Sequence, residues 1–249
     1  LGNGSAASAS AVRTQAIIDA KEHVAILAGR DIKLTGARVD AGDNVLLAAG
    51  QDILAETVAL GSTQDHRFNH GQGFGHDAVV THHGSDIRAG AGLTAVAGRD
   101  MALTGSSIKA GTDLMLVAGQ DLLVSNATGS HQHAEGSVGG KRASFTRASY
   151  DETVIGSYLE AGANARLGAG QGELAADVLL ANGIAAAQPR VGGSLAVVGS
   201  NVIAGTAAGG GVKMLAKQDI IMAEARELHD GSSEQRSRSS GFLSRKSSY

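Results

Sequence analysis

Five aspartates invite a catalytic reading: Asp31, Asp52, Asp100, Asp121 and Asp219 each follow a Gly-x or Lys-Gln pair and precede an aliphatic residue. Paired carboxylates on an all-β scaffold are what a glycosidase or polysaccharide lyase needs. These five, however, occupy the same place in successive copies of one pattern. A catalytic group is needed once, so a residue repeated in every copy is expected to serve the backbone, as an acceptor for turn N–H groups. Histidines are the second candidate chemistry. His66, His70, His76, His82 and His83 crowd one stretch, while His131 and His133 stand two apart, on the same side of a strand, as two zinc ligands must. The chain has no cysteine and the spacings form no closed zinc set, so the imidazoles are read as solvated and no metal site is expected. The glycine-rich run GQGFG, residues 71–75, lacks the dinucleotide spacing, and GxxxxGK[ST], GxSxG, HExxH and GGxGxDxUx are all missing. No catalytic constellation and no cofactor site is expected.

The elements that would carry these groups follow from the glycines. Gly29, Gly36, Gly42 and Gly50 are spaced as Gly98, Gly105, Gly111 and Gly119 are, and the spacing defines a repeat of 21 residues. Within a copy the apolar residues alternate: Ile32 and Leu34 against Lys33, Val39 and Ala41 against Asp40, Val45, Leu47 and Ala49 against Leu46 and Ala48. Period two predicts strands, each ended by a glycine corner, so one copy reads as three short strands around a three-sided coil. Stacked copies place each strand beside its equivalent, running the same way. The expectation is an all-β, right-handed parallel β-helix. An α-helical solenoid is the rival, but glycine every six to eight residues costs about 1 kcal/mol each inside helices.

Copies of the small-x-aliphatic-x-Ala-Gly pattern start at Ala37, Ser85, Ser106 and Ser157, with looser ones at Ala16 and Ser200. They predict a single β-helical segment over 1–249 with about seven coils, in the blocks 16–57, 85–124 and 157–227, and a rod about 34 Å long at ~4.8 Å per coil. Residues 58–84 and 125–156 exceed the rhythm and are predicted to leave one corner as hairpins or loops; 228–249 reads as a polar tail or a truncated third insertion. Residues that break the repeat are the expected contact surface: His66, Arg67, Phe68, His70 and Phe74 in the first insertion, Lys141, Arg142, Phe145 and Tyr150 in the second. Arg236, Arg238, Arg245 and Lys246 form the one local basic bias, read as a solvated serine-rich tail in preference to a site for sulfated or sialylated glycan.

Bulk composition agrees. In 249 residues there are 36 glycines, one proline, four Phe, three Tyr and no Trp, which suits a narrow interior of aliphatic layers and argues against a deep aromatic pocket. With 21 Lys and Arg against 24 Asp and Glu, no global field draws the chain to nucleic acid. No apolar run is long enough for a spanning helix, and LGNGSAASAS lacks the basic start and apolar core of a signal peptide. The start without Met suggests an internal piece of a longer chain. The absence of cysteine fits export through an oxidising compartment.

AGRDI (28–32), LTGARVDAGDNVLLAAGQDI (34–53), SSIKAGTDLMLVAGQDL (106–122) and SSGFLS (239–244) resemble the haemagglutinin repeats of filamentous haemagglutinin-like exoproteins, the secreted partners of two-partner secretion systems. The resemblance spans nearly the whole chain. It implies a β-helical shaft exported through a dedicated outer-membrane transporter and displayed at the bacterial surface, without stable membrane insertion. It further implies binding to a host or bacterial cell-surface receptor or glycan, as an adhesin or as the stalk of a contact-dependent inhibition toxin. The family's N-terminal secretion domain has no match in these residues, the piece is expected to be shaft, and the resemblance transfers no active residue.

Overall fold

The alternation seen in the sequence becomes three parallel sheets wrapped around one aliphatic core. The computed structural model describes residues 5–68, 70–137, 143–187, 192–207 and 209–237. After a strand β1 (Ser5–Ser10), the first coil comprises β2 (Ile17–Ala20), β3 (Val24–Ala28) and β4 (Ile32–Thr35), and the second β5 (Arg38–Ala41), β6 (Val45–Ala49) and β7 (Ile53–Glu56). A hairpin, β8 (Val58–Phe68) and β9 (Gly73–His83), precedes the third coil, β10 (Asp86–Ala89), β11 (Leu93–Ala97) and β12 (Met101–Thr104), and the fourth, β13 (Ser107–Ala110), β14 (Leu114–Ala118) and β15 (Leu122–Ser125). A second hairpin, β16 (Ala127–Ser137) and β17 (Ala143–Ile155), leads into the fifth coil: β18 (Tyr158–Ala161), β19 (Ala165–Ala169), a helix α1 (Gly172–Ala181) and β20 (Leu195–Val198). The sixth coil is β21 (Asn201–Ala204), β22 (Val212–Ala216) and β23 (Ile220–Ala223), followed by β24 (His229–Ser237).

Face one is β2-β5-β10-β13-β18-β21, face two β3-β6-β11-β14-β19-β22 and face three β4-β7-β12-β15-β20-β23, each six-stranded and in register. Among the described residues the rod is therefore a parallel β-helix of six coils, where about seven were expected. The six small-x-aliphatic copies each open one coil, and the sequence holds no seventh. Its interior is built of columns: Val39, Ile87, Ile108 and Leu159 from face one, Leu47, Ala95, Leu116 and Leu167 from face two, Ile53, Met101, Leu122 and Leu195 from face three, all essentially buried. Apolar side chains stack on apolar ones at each level, large residues predominating with Ala95 between Leu47 and Leu116, so the interior fills without large aromatics.

All three corners carry polar ladders, the one between faces one and two through Asn44, Asp113 and Asn164, which accept the N–H of Gly92, Asn164 and Gly211 on the neighbouring coil. Asp31, Asp52 and Asp100 accept the backbone N–H of the aspartate one coil on, Asp52, Asp100 and Asp121 respectively, at 3.1–3.2 Å, and Asp121 accepts from Gly193 and Ser194 at 2.8 Å. Four of the five repeated acids thus serve the backbone, but they link neighbouring coils where a cap within their own turn was expected. At the corner between faces three and one, Ser85, Ser106 and Ser157 are buried. Each Oγ donates to a carbonyl, at Leu34, Ala55 and Leu103, and each of these serines accepts from a neighbouring coil's N–H, so no hydroxyl is left unpaired.

That corner also decides where the chain goes. In coils one, three and five it is turned by Gly36, Gly105 and Gly199, at φ of +57°, +53° and +52°, and the chain continues into the next coil. In coils two and four the equivalent residue is Thr57 or Asn126, and the chain runs out into a hairpin. Glycine takes left-handed φ at no steric cost, whereas a β-branched residue does not. Gly105→Val should cost about 1–3 kcal/mol in urea unfolding, while Gly29→Ala, with open space around its Cα, should be near neutral.

The sequence reading carried the rhythm unbroken through 157–227, whereas α1 interrupts the fifth coil. GELAADVLLA consists largely of good helix formers, and Gly183 at φ +74° ends the helix. The Gly183 N–H donates to Leu180 O and the Ile184 N–H to Leu179 O, a Schellman closure. Ala175, Leu179 and Ile184 pack on Ala48, Val96 and Val117, the outward residues of face two in coils two to four. The Ala187 N–H then reaches Gly50 O at 2.9 Å, so an excursion from the fifth coil braces the rod back to the second.

Candidate contact surface on the antiparallel fin

Strands β1, β8, β9, β16, β17 and β24 pair in that order into one six-stranded antiparallel sheet, a fin standing off the rod. The hairpins alternate with pairs of coils, so the fin contributes one strand per coil. The true structural unit is two coils flanked by an entering and a leaving fin strand. Ile17 and Asp86, Arg38 and Ser107, and Val58 and Ala127 accordingly stand 69 residues apart.

Register places every fin side chain on one of two faces, since directly opposed residues of antiparallel strands share a face. His66, Asp77, His131, His133, Phe145, Asp151 and His229 lie on one face; Arg67, Phe74, Asp65, His76 and Tyr150 lie on the other. The expected contact residues therefore do not form one patch. His66 and Phe68 share the first face, ring centroids 6.0 Å apart, and lie over Gly75 and Gly73 of β9, where no Cβ obstructs them. Phe74, on the opposite face, covers Gly136 of β16 in the same way. His70 occupies the hairpin turn at φ +53°. Phe74 and Phe145 remain 40% and 38% exposed, large apolar surfaces on a sheet against which no second layer packs among the described residues. Tyr150 is half-buried and its Oη donates to Glu152 Oε1 at 3.1 Å, which raises the phenol's pKa. Lys141 and Arg142 lie outside the described residues, as do Arg238, Arg245 and Lys246; Arg236 pairs with Glu234 at 2.6 Å.

Four of the fin histidines have carboxylate partners across strand junctions. His76 Nδ1 lies 2.5 Å from Asp65, His133 Nδ1 2.7 Å from Asp77 with His131 Nε2 3.8 Å from the same oxygen, and His229 bridges Asp151 at 3.1 Å and Glu227 at 3.4 Å. Among the described residues no group of three or more His, Cys, Asp or Glu is arranged to hold a metal ion. The pairs bridge neighbouring strands of the fin. Only the pairing of β9 with β16 brings His133 opposite Asp77, and that of β17 with β24 brings His229 opposite Asp151, so the reading of His131 and His133 as merely solvated missed their partner.

The hydrogen bond to Asp151, with a further one to Glu227, raises the pKa of His229, and the hydrogen bond from His133 lowers that of Asp77. The raised histidine contributes stability that is complete below its unfolded value and is lost as pH rises through the folded one. The depressed aspartate contributes above its unfolded value and loses it as pH falls. The fin should therefore be tightest between roughly pH 4 and pH 6.5. Amide exchange in β24, corrected for intrinsic rate, should slow on going from pH 8 to pH 6, and His229→Gln should abolish the difference.

Among the described residues no helix is long and apolar enough to cross a membrane. No curated protein and no solved structure matches the chain. The family model described as Hemagglutinin repeat matches residues 1–67 and 57–140, more than half of the 249. That match takes in the first four coils and the first fin hairpin, and it accords with the parallel stacking and the repeat-breaking hairpins: the chain belongs to the Hemagglutinin repeat family.

Proposed function

We propose that this chain is a rigid shaft segment of a large secreted bacterial surface filament, acting in adhesion to host or neighbouring cells, with the fin as its contact surface. The observation that carries the reading is the coupling of one fin strand to every coil. A stiff rod presents a continuous ribbon of polar and aromatic side chains along one edge, without a catalytic constellation among the described residues. The family is a structural one with a two-partner secretion context, which points to an outer-membrane transporter as export partner. The coils suit such export, since each contacts mainly its neighbours and can form as the chain emerges. A host or bacterial receptor or glycan is the expected ligand class. The histidine-rich face and the two exposed phenylalanines offer the stacking and hydrogen-bonding groups that a glycan uses.

Removing residues 61–82 deletes most of β8 and β9 and leaves the rod strands intact. Cell binding by the purified segment should be lost while the parallel sheets still give a cooperative melt; binding retained by the folded deletion variant would count against the fin. The rival reading, a stalk delivering a contact-dependent inhibition toxin, predicts no cell binding by this segment alone and a killing defect when the deletion is placed in the parent protein.

A further inference from the structure

Face two is covered by α1 over three coils, whereas no described element covers the outer side of face one. Its outward residues form two columns. The first runs Ile17, Arg38, Asp86, Ser107, Tyr158, Asn201 and the second Asp19, Asp40, Arg88, Lys109, Glu160, Ile203, with each successive pair in register on adjacent coils. At the centre, coils two and three make a two-by-two checkerboard. Arg38 pairs with Asp40 at 2.6 Å along one strand and Arg88 with Asp86 at 2.8 Å along the next. The order is reversed, so Arg38 also stands beside Asp86, and Asp40 beside Arg88, across the ~4.8 Å between strands. The four side chains are each a quarter to a half exposed, and the patch carries no net charge.

A checkerboard of this kind is its own complement. Rotation by half a turn about an axis along the rod, over the midline of face one, sets the first column of one molecule opposite the second column of another at the same coil. Arg38 then faces Asp40 of the second copy, and Asp86 faces Arg88 of the second copy, each twice by symmetry. On the other coils Ile17 meets Asp19, Ser107 meets Lys109, Tyr158 meets Glu160 and Asn201 meets Ile203, so no like charges are brought face to face. A groove of about 530 Å³, floored by the Ala-Gly corners and flanked by Asp40, Arg88, Lys109 and Glu160, leaves room for the opposing side chains.

We infer that face one is a homotypic docking surface on which two shafts lie side by side in parallel, in coil-for-coil register. The partner is a second copy of this chain. An antiparallel arrangement also pairs the checkerboard and adds Asp19 opposite Lys109, but it superposes only four coils, whereas the parallel one engages all six. The six coils offer a strip of about 380 Å² per partner from strand rise and spacing, under half the roughly 800 Å² of a standard stable interface. One segment should therefore pair weakly, and a long filament strongly, through repetition of the contact. This contact is independent of the fin and of the adhesive reading.

The absence of cysteine makes the test direct. Asn201→Cys and Ile203→Cys variants are mixed at high protein concentration and low salt and treated with a short bismaleimide. Cross-linked dimer should exceed the collision level set by Ala25→Cys, an exposed position on face two, and should fall about five-fold or more in 0.5 M salt or with Arg38→Glu plus Arg88→Glu. Arg38→Lys plus Arg88→Lys should retain it, with circular dichroism verifying the fold of every variant. Collision-level yield, insensitivity to salt and charge reversal, or preferential linking of Ile17→Cys to Ser107→Cys, which marks the antiparallel arrangement, would each overturn the inference.

Discussion

Excising residues 70–138 should give a folded protein, whereas excising the single coil 86–106 should not give an intact one. The first cut removes one complete unit, with one fin strand entering and one leaving for two coils, so rod and fin shorten together. The second removes one coil and no fin strand. The two sheets share the same rise per strand, about 4.8 Å, so six fin strands must then span five coils, and one junction falls out of step. The β9–β16 pairing, eight residues on each strand from Gly73 opposite Ser137 to Val80 opposite Ser130, brackets the missing coil and is the junction expected to open. Amide exchange in those strands should rise on the order of 100-fold or more as local opening replaces global unfolding, while the unit excision should leave protection in the remaining strands nearly unchanged. Equal protection in both variants would mean that fin and rod are not phase-locked.

Leu179→Asp should detach α1 from the rod. Leu179 is fully buried between the helix and face two; truncation to Ala alone would cost about 2–5 kcal/mol, and an unpaired carboxylate there adds several more. The helix is ten residues long, too short to persist in water without its docking face. The helical part of the circular dichroism should vanish, exchange across 172–187 should approach free-peptide rates, and an apolar dye should bind the uncovered Ala48, Val96 and Val117. The three parallel sheets should survive, because their interior columns contain no residue of α1. Leu179→Met, nearly equal in volume, should stay within about 1.5 kcal/mol of the parent. A retained helical signal in Leu179→Asp would show that the brace is held by something other than this contact.

The rod was legible because its determinants are local and repeated. Glycine spacing marks the corners, and the inward residue at each level, such as Val39, Ile87 and Ile108, recurs with its chemistry intact. The helix left a weaker trace, a run of Ala and Leu ending at Asn182-Gly183. A second signal lay in the strands it covers, where Leu46 and Ala48, then Met115 and Val117, are apolar on the outward side, although a coil surface should be polar there. The fin was legible as two insertions and no further. Its pairings depend on hairpin turn positions that no periodicity fixes, and a shift of one residue exchanges the faces. Adjacent residues such as Arg67 and Phe68 were therefore grouped by sequence proximity when the strand sends them to opposite sides. The same dependence hid the partnership of Asp77 with His131 and His133, 54 and 56 residues away.

The helical brace sits late in the chain relative to what it protects. The surface from Ala48 to Val117 is complete once residue 118 has joined the stack, and its cover arrives only with residues 172–187. A shaft assembling from its N-terminal end must then grow for more than fifty residues with one flank bare and greasy before the cap swings back across it. During that interval a newly made shaft is at its stickiest, and a molecule halted there would offer neighbours an adhesive seam that the finished one has sealed.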